Sequence, residues 1–215
     1  MRDYRLYLFD FDNTLFDTRY GITVILRNAL PMLGVEYNEL RFAECLGLSM
    51  DQVFDRYCSD RSKYDAYRDE FMKVVNSDAY MGAEPFPETL RVLETLESRG
   101  RRIGIVSGKK RYKIVNLLEA QGMLRFPEVI VGFDETPNHK PSPDPILLGM
   151  SAFDVPPDDT LYVGDSPNDA LAARAAGIDC AIVNRHNGLN DLPCECTYMI
   201  ESLDEILTSG SAGQS

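Results

Sequence analysis

The chain has 215 residues, 44% hydrophobic and 26% charged, a globular composition that excludes intrinsic disorder and collagen-like repeats. With 34 acidic against 22 basic residues the net charge is −12, which argues against nucleic acid or an anionic membrane as main partner. At roughly 150 residues per domain, this is one large domain or one domain with a modest insertion.

Residues 6–9 read as a short buried strand that ends at Asp10. Asp17 or Thr18 is expected to cap a helix whose apolar positions Ile22, Ile25, Leu26, Ala29, Leu30 and Leu33 repeat at a helical period. Asn38 opens a second helix running to about Leu46, and Ser49 with Gln52 opens a third in capping-box form. Tyr64, Tyr67, Phe71, Val74 and Val75 mark a fourth, and the stripe of Tyr64, Tyr67 and Phe71 is read as core of that region. No strand is expected between 18 and 81. From there the pattern alternates: helix 87–98, strand 102–106, helix 109–120, strand 129–131, helix 143–152, strand 161–163, helix 167–176, strand 181–183. A short edge strand at 198–200, a last helix at 202–207 and a Gly/Ser-rich flexible tail at 208–215 complete the reading.

Alternating strands and helices specify an α/β fold: a Rossmann-like parallel sheet with helices on both faces, here plus an inserted α-helical domain. The expected division is 1–17 with 84–207 as the α/β core and 18–83 as the helical insertion. No secretory leader and no bilayer-length apolar stretch is read. Five cysteines, an odd number at irregular spacing, are expected as reduced thiols in a cytoplasmic protein. The Cys194/Cys196 pair lacks zinc-site spacing, Cys180 is read as a buried small residue, and His186 as a surface residue.

In open parallel sheets, ligands bind beyond the carboxyl ends of the strands. Asp10, Ser107, the stretch from Gly132 to Asp134, Asp165 and Asn184 stand at those ends. Asp10 and Asp12 are like charges two residues apart; at ~4 Å and an effective dielectric of ~20 they repel by about 4 kcal/mol, so a cation or a proton must offset them. An acidic turn closing a strand is the plain alternative. Asp165 leaves the fourth of these strands, while Ser166, Pro167 and Asp169 also satisfy a helix start. Ser107-Gly108-Lys109 presents a hydroxyl and N–H groups to an anion, or simply caps a helix. Lys140 is held by Pro141 at a defined place, or is a surface lysine in a proline-rich turn. Taken together, acids, a lysine and a hydroxyl converge on one rim, and a hard divalent cation, magnesium, is expected among them.

Asp10-Phe11-Asp12-Asn13-Thr14-Leu15 resembles the DxDxT signature of the haloacid dehalogenase superfamily. Ser107, Lys140 and Gly164-Asp165-Ser166-Pro167-Asn168-Asp169 resemble its other three motifs, in order. The helical insertion, including Cys45-Leu46-Gly47-Leu48, is similar to the cap of the phosphoglycolate phosphatase-like branch. The resemblance implies a phosphatase acting on a small phosphorylated metabolite, with phosphoglycolate first and pyrophosphate, a nucleoside monophosphate or a sugar phosphate after it. Asp10 would be the nucleophile and Asp12 the acid and base, its carbonyl also touching the metal. Ser107 and the N–H groups of Asn13 and Gly108 would hold phosphate oxygens. Lys140 would balance charge, Asp165 would bind magnesium, and Asp169 would act on it indirectly. Gly108 and Glu88 depart from residues common in relatives, and 19–25 lacks the histidine of mutase relatives. A catalytically idle regulator on the same scaffold would be expected to have lost Asp10, Asp12 or Lys140; all three are present.

Overall fold

A computed structural model describes residues 1–45, 48–77, 82–185 and 196–208. The chain forms two compact units, Met1–Phe16 with Pro85–Ser215 and Asp17–Glu84. The first is built on a six-stranded sheet. In chain order its strands are β1 (Leu6–Phe9), β4 (Arg102–Val106), β5 (Val129–Val131), β6 (Thr160–Gly164), β7 (Asp179–Val183) and β8 (Tyr198–Ile200). They lie in the order β5-β4-β1-β6-β7-β8, all parallel. Two short strands, β2 (Phe16–Asp17) and β3 (Glu84–Pro85), pair where the chain passes between the units.

All four side chains of β1 are buried, as a central strand covered on both faces requires. Each such side chain contributes about 1.5–3 kcal/mol on leaving water. Between them the strands alternate with α5 (Thr89–Ser98), α6 (Arg111–Ala120), α7 (Asp144–Met150) and α8 (Pro167–Ala176). From β1 the chain moves outward to β4 and β5; from β6 it moves the other way to β7 and β8. The topological switch point therefore falls between β1 and β6, where such sheets open a crevice.

The second unit holds α1 (Arg19–Ala29), α2 (Glu39–Cys45), α3 (Met50–Tyr57) and α4 (Tyr64–Val75). Leu26, Ala29, Leu30, Leu33, Val53, Phe54 and Tyr67 form its core, with Tyr64 and Phe71 packed against it. Asn38 Oδ1 accepts the Arg41 N–H at 2.9 Å, and Ser49 with Gln52 forms the expected capping box.

Some boundaries move. The helix expected from 109 starts at Arg111, because Lys110 is still extended. The last helix, expected over 202–207, is a 3-10 turn at Leu203–Leu207. β2 and β3 were invisible in the sequence because two residues carry no period. Leu46, His186 and Cys194 lie outside the described residues, while Cys180 is buried and the described cysteines are free thiols. No helix among the described residues is long and apolar enough to cross a membrane.

Candidate active site

Asp10 follows β1 directly, and its N–H donates to the Val163 carbonyl of β6 at 2.8 Å. Asp165 follows β6. Phe9 and Val163 are register partners, so the two carboxylates leave neighbouring strands side by side at the switch point. The turn after Asp165 brings a third acid. Ser166 caps α8 with Pro167 at its first position, and Asp169 closes a capping box with Ser166. Asp169 Oδ2 accepts from the Ser166 N–H at 3.0 Å, the Ser166 hydroxyl at 2.6 Å and the Asp165 N–H at 3.2 Å. A side chain at Gly164 would stand 2.5 Å from the Asp169 carboxyl carbon, so only glycine allows this approach. Oxygens of Asp10, Asp165 and Asp169 all lie within 4.8 Å of one another.

Lys140 supplies the counter-charge. Its Nζ lies 2.8 Å from Asp10 Oδ1, 2.6 Å from Asp169 Oδ1 and 2.9 Å from the Tyr162 hydroxyl. The Tyr162 hydroxyl in turn donates to the Val106 carbonyl at 2.8 Å. Residues from four separate stretches thus meet at one point on the rim.

A family model described as haloacid dehalogenase-like hydrolase matches residues 7–183. The chain belongs to that family. The phosphoglycolate phosphatase of Escherichia coli K12 is 31% identical over 212 residues, covering 87% of this chain and 83% of that one. Pyrophosphatase PpaX of Oceanobacillus iheyensis is 28% identical over 210 residues, covering 95% of each. A crystal structure of a haloacid dehalogenase-like hydrolase from Bacteroides fragilis superposes with a TM-score of 0.83 at 29% identity, covering 95% of this chain and 100% of that one. These relatives put the hydrolase in the phosphoglycolate phosphatase-like branch.

Charge in this hydrolase's site is far from balanced. Burial pushes the Asp10 carboxyl up to about 6; Lys140 opposes the rise, and Asp169 and Asp12 add to it. Asp165 is held well above the usual carboxylate range, by burial first and then by Asp169 and Asp10. Burial works against the Lys140 ammonium, but Asp10 and Asp169 outweigh it, so its pKa stands well above that of an ordinary lysine. Three carboxylates around one ammonium call for further positive charge, and an all-oxygen donor set suits a hard divalent cation. The residues therefore fit such an ion.

The Asp12 side chain does not join the trio. It meets Lys109 Nζ at 2.8 Å, a contact the sequence reading missed because Lys109 looked like part of a helix start. Lys109 is buried, and burial lowers its pKa against the pull of Asp12. Ser107 is buried at the end of β4, its Oγ accepting the Lys109 N–H at 3.3 Å. Gly108 beside it is exposed, with open space where a side chain would stand. The Asn13 N–H donates to the Phe16 carbonyl at 2.7 Å, and Asn13 turns the chain in the left-handed region at φ 56°. Tyr162 was also missed. Its signal was a phenol in an otherwise aliphatic buried strand, where the hydroxyl must find a partner.

Proposed function

We propose that this hydrolase is a magnesium-dependent phosphatase that cleaves a small phosphorylated metabolite, phosphoglycolate first among the candidates, through an aspartyl-phosphate intermediate. One observation carries the reading: Lys140 Nζ bridges Asp10 at 2.8 Å and Asp169 at 2.6 Å where the strand ends deliver Asp165. Asp10 is the nucleophile. Its carboxylate attacks phosphorus, the bond to the leaving oxygen breaks, and Asp12 gives that oxygen a proton. Water then attacks the phosphorus, its proton passes to Asp12, and the Asp10–phosphorus bond breaks to release phosphate. Lys109 holds Asp12 Oδ1, so Oδ2 carries the transferred proton. Ser107 and Gly108 bind phosphate oxygens, and Lys140 offsets the charge gathered at Asp10. Asp10, Asp165 and the Asp12 carbonyl would hold magnesium. Asp169 stays behind them, because both of its oxygens already accept hydrogen bonds. When bound, the cation neutralises phosphoryl oxygen charge and relieves the repulsion among the acids. Phosphoryl transfer requires placement and charge neutralisation above all, and this rim offers both.

The relatives' names support the substrate choice, and they also support a second reading. The Oceanobacillus iheyensis pyrophosphatase aligns along 95% of both chains, which keeps pyrophosphate as the alternative. A panel of phosphoglycolate, pyrophosphate, nucleoside monophosphates and sugar phosphates, read by phosphate release with magnesium and with chelator, separates them. Asp10→Asn is expected to lower turnover by about 10⁴-fold or more while circular dichroism is unchanged. Substantial turnover by that variant, or release insensitive to chelator, would falsify the mechanism.

A further inference from the structure

Arg185 lies two residues beyond β7, and its side chain reaches back to the loop that follows Asp10. Its Nη2 donates to the Thr14 carbonyl at 2.9 Å. Its Nη1 lies 2.6 Å from Glu88 Oε1, and the guanidinium carbon stands 3.6 Å from the centre of the Phe86 ring. Both charged side chains are almost covered, Arg185 with 9% and Glu88 with 12% of its surface exposed. Removing two charges from water is costly, and packing apolar groups there would satisfy the core more simply. The guanidinium uses its shape: one edge meets a carboxylate, another N–H meets a carbonyl, and its face covers a ring. A lysine cannot make all three contacts.

What these contacts hold is the turn 11–16. Inside it, the N–H groups of Leu15 and Phe16 both donate to the Phe11 carbonyl at 3.1 Å, and Asn13 donates to Phe16. From outside, the Leu15 carbonyl accepts from the Thr89 hydroxyl at 2.8 Å and the Phe86 N–H at 3.0 Å. The Thr14 carbonyl, two residues from Asp12, accepts from Arg185. The turn is thus tied to the rest of the unit at two successive carbonyls, and one of those ties is the guanidinium.

We propose that Arg185 is a positioning residue for the reaction: steered by Glu88, it fixes the turn that sets Asp12 beside the nucleophile. This rests on the phosphatase reading above. The full chain with Arg185→Met, Arg185→Lys or Glu88→Gln would be assayed on p-nitrophenyl phosphate with magnesium, alongside thermal unfolding and amide hydrogen exchange across 11–16. Arg185→Met is expected to lower kcat by about 10- to 100-fold with KM within about 3-fold, as small misplacement of reacting groups does. Exchange across 11–16 should be faster. Arg185→Lys should recover part of kcat, and Glu88→Gln should lose about 3- to 10-fold by the same pattern. A fall in thermal stability with kcat within about 2-fold of the parent would overturn the proposal and leave an ordinary structural ion pair. Should Arg185→Met fail to fold, the other two variants decide by the same criteria. If the parent hydrolyses no phosphate ester, the phosphatase reading fails; faster exchange in Glu88→Gln then still upholds the clamp, and unchanged exchange overturns it.

Discussion

The two rims of the sheet carry acid–base pairs of similar length and opposite burial. At the amino-terminal rim Arg2 meets Asp159 at 2.9 Å with 51% and 30% of the side chains exposed. At the carboxyl-terminal rim Lys140 meets Asp10 at 2.8 Å with 11% and 8% exposed, and Lys109 meets Asp12 at the same distance with 3% and 23%. Exposed pairs contribute about 0–1 kcal/mol and cost little to keep. Buried charges lose hydration worth several kcal/mol per ion, which their mutual attraction need not repay. Pairing alone therefore does not distinguish the two rims; burial does. Of the pairs compared, the most deeply buried lie at the carboxyl-terminal rim, where the proposed site stands.

The sharpest way to break this contrast is Lys140→Met. It strips the ammonium from two buried carboxylates and should lower turnover by about 10²-fold or more. Urea unfolding should register a loss of about 3 kcal/mol. Parent-like values in both would show that the Lys140 ammonium supports neither turnover nor the buried acids.

The next test is pH. Burial holds the Asp10 carboxyl at about 6 in the folded state, against an ordinary value of 3.8. The folded chain then binds this proton more tightly than the unfolded chain does. Stability of the cation-free protein is expected to fall as pH rises from about 4 to 6, because the charge must be accepted in a buried site. Magnesium should accordingly raise the thermal midpoint by about a few degrees at pH 7 and by much less at pH 5. Equal shifts at both values would mean that the ion binds away from these acids.

Tyr162→Phe removes the hydroxyl that supports Lys140 and leaves the ring in the core. A cost of about 1 kcal/mol is expected, with a several-fold fall in kcat. Unchanged kinetics would show that Asp10 and Asp169 orient the ammonium unaided. At the other rim, Asp159→Asn should change stability by less than about 1 kcal/mol and leave turnover untouched. A large loss there would erase the distinction between the rims.

Much of the candidate site was legible in the sequence. A strand read at 6–9 with an acid after it, and another ending at Gly164-Asp165, already placed Asp10 and Asp165 at strand ends, and Ser166 with Asp169 announced the helix cap. What stayed hidden was partner choice. Alternation of strands and helices does not say that β6 returns to lie beside β1, and only that return brings Tyr162 to Lys140 and Arg185 to Thr14 across 171 positions of chain. Lys109 was hidden for a different reason: a lysine after Ser-Gly reads equally well as a helix start, and its burial appears only once α6 begins at Arg111.

The position of β1 at the centre of the sheet has a consequence for how the molecule comes into being. Asp10 is made well before its partners: Lys140, Asp165 and Asp169 emerge from the ribosome more than a hundred residues after it. Pairing of β1 with β6 closes a long span of chain and is correspondingly slow to nucleate. Until that closure, the nascent chain carries the Asp10 carboxylate without its Lys140 partner. Synthesis thus delivers the acids and the ammonium of this cluster at different times, and the cluster can assemble only after Asp169 has emerged.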